Sequence, residues 1–159
     1  MIRTAPINPA RMITTPCIFF FVVQKLLKWV VGRMLNGIKG IGVDLCKSSR
    51  VHKLYSRYPS KYLNKALHPL EIDHFHSLSD NKQRQTQYLA TLWAVKEATV
   101  KATGKRLLFP DIQYTKNEIS APVIVLHNES LEWFNRTYKS IMVTVSHDDG
   151  HTIAFVLVQ

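Results

Sequence analysis

The stretch "WAVKEATVKATG", residues 93–104, decides how the rest of the chain is read. It has the form of the last turns of a helix, with Gly104 as its stop. Trp93, Glu97 and Val100 fall on one face at helical spacing, so Glu97 prolongs an apolar stripe. Lys101 follows Glu97 by four residues, one turn further on. Such a pair is worth about 0.2–0.5 kcal/mol to a helix and needs no other purpose. A catalytic purpose requires a second acidic group, carried to the same place by another element.

The chain has 159 residues, 46% hydrophobic and 20% charged, which fits one globular domain with length left over for a tail. A net charge of +10 calls for an acidic partner: nucleic acid, a membrane surface, an acidic protein or a phosphorylated ligand. Cys17 and Cys46 have neither metal-site spacing nor the density of a disulfide scaffold, which makes a reducing compartment the default.

Residues 1–36 differ from the remainder, 37–159. No Asp or Glu occurs before Asp44, while Arg3, Arg11, Lys25, Lys28, Arg33 and Lys39 are all basic. The apolar run "CIFFFVV" (17–23) is too short for a bilayer, which takes about 20 residues, so no transmembrane span is expected. In "QKLLKWVVGRML" (24–35), Leu26, Leu27, Val30, Val31 and Met34 share a helical face. Basic, acid-free and amphipathic is the pattern of a mitochondrial presequence. A secretory signal and a plain basic tail on a cytoplasmic protein are the rival readings.

From residue 37 the pattern is that of an α+β domain. "GIKGIGVDLC" (37–46) alternates, with Ile41, Val43 and Leu45 on one face and Gly40, Gly42 and Asp44 on the other, as in a strand. A helix is expected over Ser48–Lys65, a short one after Pro69, and a long one capped at Ser79 and ending at Gly104. "DIQYT" and "PVIVLH" read as strands and "SLEWFNRTY" as helix. "IMVTVSH" and "TIAFVLV" form a hairpin around "DDGH".

Asp44 supplies the second acid. It stands on the cleared glycine face of its strand, where a helix or a ligand can approach the backbone closely. Two other clusters carry less. Ser146, His147 and Asp148 are adjacent on a strand end, so their side chains alternate between faces and cannot form a relay among themselves. His147 is either part of a polar turn or a phosphate contact. His68, His74 and His76 lack zinc-site spacing and have no nearby cysteine.

Taken in order, "GIGVDL", Arg50 six residues after Asp44, "RYPSKYLNKALHPLE", "YLATLWAVKEATVKATG", "DIQ" and "VSHD" resemble the holo-[acyl-carrier-protein] synthases, the short form of the 4′-phosphopantetheinyl transferases. The resemblance covers about residues 38–158. It implies a phosphopantetheinyl transferase-like fold, an antiparallel sheet packed with helices, assembled as a trimer with active sites between subunits. It implies transfer of the phosphopantetheine arm of coenzyme A to a serine of an apo acyl carrier protein, with release of adenosine 3′,5′-bisphosphate.

In this family Asp44 and Glu97 match the ligands of a Mg²⁺ ion that also binds the pyrophosphate. Lys101 matches the residue that meets the leaving group, and Glu97 is a candidate to take the serine proton. Arg84, Lys96, Lys101, Gly104 and His147 match the coenzyme A contacts. Arg50 matches a carrier-docking position. Three departures, Leu92, "GKR" (104–106) and Ala121, fall where relatives carry 3′-phosphate contacts. Two other readings stand beside this one. A basic nucleic-acid-binding module leaves Asp44 and Glu97 unused, and a degenerate synthase-like subunit would bind without catalysis.

Overall fold

The computed structural model describes residues 37–159; the segment read as a presequence, 1–36, lies outside them. The described residues form an α+β fold. Strand β1 (Gly40–Lys47) leads into helices α1 (Ser48–Arg57), α2 (Pro59–Ala66) and α3 (Pro69–Ser77), then the long α4 (Lys82–Thr103). A single 3-10 turn, Phe109–Asp111, precedes β2 (Ile112–Lys116) and β3 (Pro122–Leu126). Helix α5 (Asn128–Thr137) and the hairpin β4 (Ile141–Asp148) and β5 (His151–Val158) complete it. The main sheet is antiparallel in the order β1-β5-β4, and β2 and β3 pair as a separate two-stranded sheet.

Helix α4 is the centre of the core. Ala90, Ala94, Ala98 and Ala102 recur every four residues and are almost fully buried, forming a smooth ridge along the helix. Gly40 and Gly42 of β1 lie directly on that ridge, where a Cβ on Gly42 would collide with the Ala98 carbonyl oxygen. The buried hydroxyls of Thr91, Thr99 and Thr103 bond the carbonyls of Gln87, Val95 and Thr99, four residues back, so none is left unpaired inside.

The two faces of β1 have different neighbours. The glycine and aspartate face is the one that packs inward. The Ile41, Val43 and Leu45 face is exposed, Leu45 by 62%, and Ile153, Phe155 and Met142 extend it across β5 and β4.

Two boundaries also differ from expectation. The helix expected over Ser48–Lys65 breaks at Tyr58, because the Pro59 ring restricts the residue before it and restarts the helix at its first position. Helix α4 is capped by Asn81, not Ser79: the Asn81 Oδ1 accepts from the Arg84 amide at 2.9 Å. Ser79 instead donates to Asp80. Gly104 ends α4 as expected, in the left-handed conformation at φ 64°.

Candidate active site

Close packing of β1 on α4 brings Asp44 to the turn that carries Lys101. Lys101 Nζ donates to Asp44 Oδ1 at 2.7 Å and to the Val43 carbonyl at 3.0 Å. The Asp44 side chain is largely covered while that of Lys101 is half exposed. An ammonium has three donors, so one remains for an incoming group. The helix-internal pairing of Glu97 with Lys101 does not occur; the lysine reaches across to the strand instead. Glu97 sits one turn earlier on the same ridge of α4, partly exposed beside Trp93 and Val100. Trp93, Glu97 and Val100 therefore form the less buried flank of α4, not its apolar stripe.

Among the described residues no group of three or more His, Cys, Asp or Glu gathers as a ligand set. Asp44 and Glu97 stand on β1 and on the turn of α4 before Lys101, which Asp44 contacts. Asp44 Oδ2 and both Glu97 oxygens accept no hydrogen bond among the described residues. Two hard carboxylates with oxygens to spare fit a magnesium ion, which takes one or two protein carboxylates and completes its shell with water and substrate phosphate.

The second group of expected residues lies elsewhere on the surface. Arg84 and His147 line one cleft of about 700 Å³ with Lys116, Tyr114, Gln113 and Gln87. His147 also borders a second cleft, of about 730 Å³, with Lys47, Lys82, His52 and His151. His147 Nδ1 lies 2.9 Å from the Thr152 hydroxyl across the hairpin. Partial desolvation and then the charge of Lys116 hold the imidazole below its ordinary pKa. Asp44, Glu97 and Lys101 border neither cleft.

Lys96 departs from expectation. Its side chain is fully buried, with Nζ 2.6 Å from Glu71 Oε2 and 2.9 Å from the Phe109 carbonyl, so it contacts no ligand at the surface. Burial pushes its pKa down, and the Glu71 carboxylate pulls it back up. A lysine one place before Glu97 looks like a ligand contact in sequence. Its partner lies 25 residues upstream on α3, which no local pattern announces.

Leu92 is buried in the core. Lys105 is exposed and its Nζ lies over the Trp133 ring, 4.4 Å from the centroid. Gly104 has open space around it. Arg50 stands on the exposed side of α1 and pairs with no acid among the described residues. Sequence reasoning missed Glu71, Lys116 and Gln87 as members of this neighbourhood. Only Lys116 had a visible signal, as a basic residue ending a strand.

Comparison with known proteins gives a consistent result. The family model of the 4′-phosphopantetheinyl transferase superfamily matches residues 40–156. A holo-[acyl-carrier-protein] synthase of Helicobacter pylori is 38% identical over 122 residues, 74% of this chain and 95% of that protein. The crystal structure of a Helicobacter pylori holo-[acyl-carrier-protein] synthase in complex with coenzyme A superposes with a TM-score of 0.61 at 35% identity, covering 75% of this chain and 99% of that one. The Neisseria meningitidis enzyme superposes at 0.70 with 23% identity, covering 77% and 98%, a likeness of fold alone.

Proposed function

This chain belongs to the 4′-phosphopantetheinyl transferase superfamily, and we propose that it moves the 4′-phosphopantetheine arm of coenzyme A onto a serine of an apo acyl carrier protein. The observation that carries the reading is the junction of β1 and α4, which places Asp44 against Lys101 one turn from Glu97. The serine oxygen forms a bond to the nearer phosphorus of the pyrophosphate, and the bond from that phosphorus to adenosine 3′,5′-bisphosphate breaks. The serine proton passes to a Glu97 carboxylate oxygen. Lys101, held by Asp44 and Val43, directs its third N–H at the departing phosphate and offsets the charge that grows there. Asp44 and Glu97 would hold Mg²⁺, which when bound neutralises the phosphoryl oxygens as negative charge accumulates. The test is direct: coenzyme A, Mg²⁺ and an apo carrier are incubated with the chain. The carrier should gain the mass of one phosphopantetheine, and an unmodified carrier would sink the proposal.

The working unit is a homotrimer. Two observations support this: the exposed apolar face of the main sheet, and the separation of the Arg84–His147 cleft from the carboxylates within one chain. An apolar sheet face of this extent asks for a partner. Covering it with a second copy would let one subunit's cleft serve another subunit's carboxylates, with coenzyme A between them. Phe155→Asp should give a single-chain species by sedimentation velocity, with transfer down by roughly two orders of magnitude because each site is left incomplete. A wild-type chain that sediments singly at full activity would refute the assembly.

Carrier docking falls to α1, which presents Arg50 and Arg57. Arg50→Glu should raise the KM for an acidic carrier roughly tenfold and Arg50→Ala about threefold, with both effects fading as salt rises. The KM for coenzyme A should stay put. Effects confined to the melting temperature would remove Arg50 from the docking surface.

A further inference from the structure

Helix α4 must do two things at once: fill the core and aim Glu97. Its packing is poorly suited to the second. Buried residues surround most of its axis, and the alanine ridge beneath β1 is smooth. A turn of about 20° would carry a carboxylate near the helix rim by about 2 Å. Magnesium, with oxygens at about 2.0–2.1 Å in near-ideal geometry, would not tolerate that.

Lys96 supplies what the ridge lacks. It adjoins Glu97 in sequence and projects about 100° away around the helix. Its partner Glu71 is 2% exposed and fully engaged. Glu71 Oε2 accepts from Lys96 Nζ at 2.6 Å and from the His68 amide at 2.8 Å, and Oε1 accepts from the Tyr114 amide at 2.7 Å. Lys96 also donates to the Phe109 carbonyl at 2.9 Å. Backbone from the start of α3, the 3-10 turn and β2 thus converges on one point of α4. A buried ion pair by itself often stabilises a core no better than apolar side chains of the same volume; here the pair also serves three backbone groups on three other segments, which ties them to α4 in one orientation. Charge-assisted hydrogen bonds fix direction, which apolar contacts do not.

We propose that the buried Lys96–Glu71 pair is a positioning device that sets the rotation of α4 and so presents Glu97 toward β1. This rests on the metal-ligand role of Glu97 in the function above. The test uses the full chain, with Mn²⁺ as probe cation, coenzyme A present, and water-proton relaxation as readout. The double variant Lys96→Met with Glu71→Leu removes both charges and keeps the volume. It leaves the His68 and Tyr114 amides and the Phe109 carbonyl without these partners, so it should melt lower than the wild type, and below its melting transition it should bind Mn²⁺ at least tenfold more weakly. Its kcat should fall by a similar factor while the KM for the carrier holds. A well-folded double variant with wild-type Mn²⁺ affinity overturns the proposal.

If the double variant does not fold, Glu71→Gln serves. It keeps the shape and one of the two acceptor oxygens, so one of the His68 and Tyr114 amides loses its partner, and it removes the ionic hold on Lys96. Weaker Mn²⁺ binding supports the device, and unchanged binding overturns it. The underlying reading fails differently. A wild-type chain that binds Mn²⁺ but modifies no carrier rejects the transferase function and leaves the positioning result standing. A wild-type chain that binds no Mn²⁺ rejects the positioning proposal itself.

Discussion

Asp44→Asn and Glu97→Gln should each slow carrier modification by about three orders of magnitude, equivalent to a loss of about 4 kcal/mol of transition-state stabilisation. Each substitution keeps size and removes one negative charge from the pair that would hold the cation. The melting temperature should barely move. The Asp44–Lys101 bridge is open to water on the lysine side, and pairs of that kind contribute about 1 kcal/mol or less. Glu97 makes no hydrogen bond among the described residues that its replacement would break. Carrier KM should also hold, because docking is assigned to α1. The decisive measurement is the rate of carrier mass gain across a Mg²⁺ titration. Near-normal turnover at moderate Mg²⁺ in either variant would remove that residue from the metal site.

The second large effect is on folding. Gly42→Ala adds one methyl group and should cost about 3 kcal/mol or more, above the usual range for overpacking a core. The obstacle is a helix carbonyl, that of Ala98, which has no rotamer to change. Relief would require β1 to lift off α4, separating Asp44 from Lys101 as well. A fall in melting temperature of about 10 °C or more is expected, and activity should drop further than stability explains. Thermal denaturation beside single-turnover kinetics would show this. A variant as stable as the wild type would mean that β1 does not depend on close approach to α4.

Much of this was legible in the chain, and the reason is periodicity. Alternation with the "DDG" turn marks the β4–β5 hairpin, and Asp149 and Gly150 at its tip both adopt positive φ. Asp44, Glu97 and Lys101 were legible as a candidate set through the family resemblance; the glycines that clear a face for the helix were a weak signal by themselves. What stayed hidden was relational. Alternation separates the two faces of β1 but does not say which is covered within one chain; the four-residue spacing of Ala90, Ala94, Ala98 and Ala102, matched to Gly40 and Gly42, held that answer. Lys96 was misread because its partner Glu71 is fixed by tertiary structure, through amides on two other segments. Asn81 outcompeted Ser79 by lying three residues before the amide that it caps.

The strand order β1-β5-β4 has a consequence for how the protein is made. Within the sheet, β1 bonds to β5 alone, and Gly40 to Lys47 must find Val158 to His151. During synthesis β1 is among the first described segments to leave the ribosome, and its neighbour is the last. Until then the backbone of β1 has no sheet partner. A pairing this distant in sequence raises contact order, which slows the step that completes the domain. The β1–β5 pairing therefore cannot form until β5 has been made, and the main sheet is completed last.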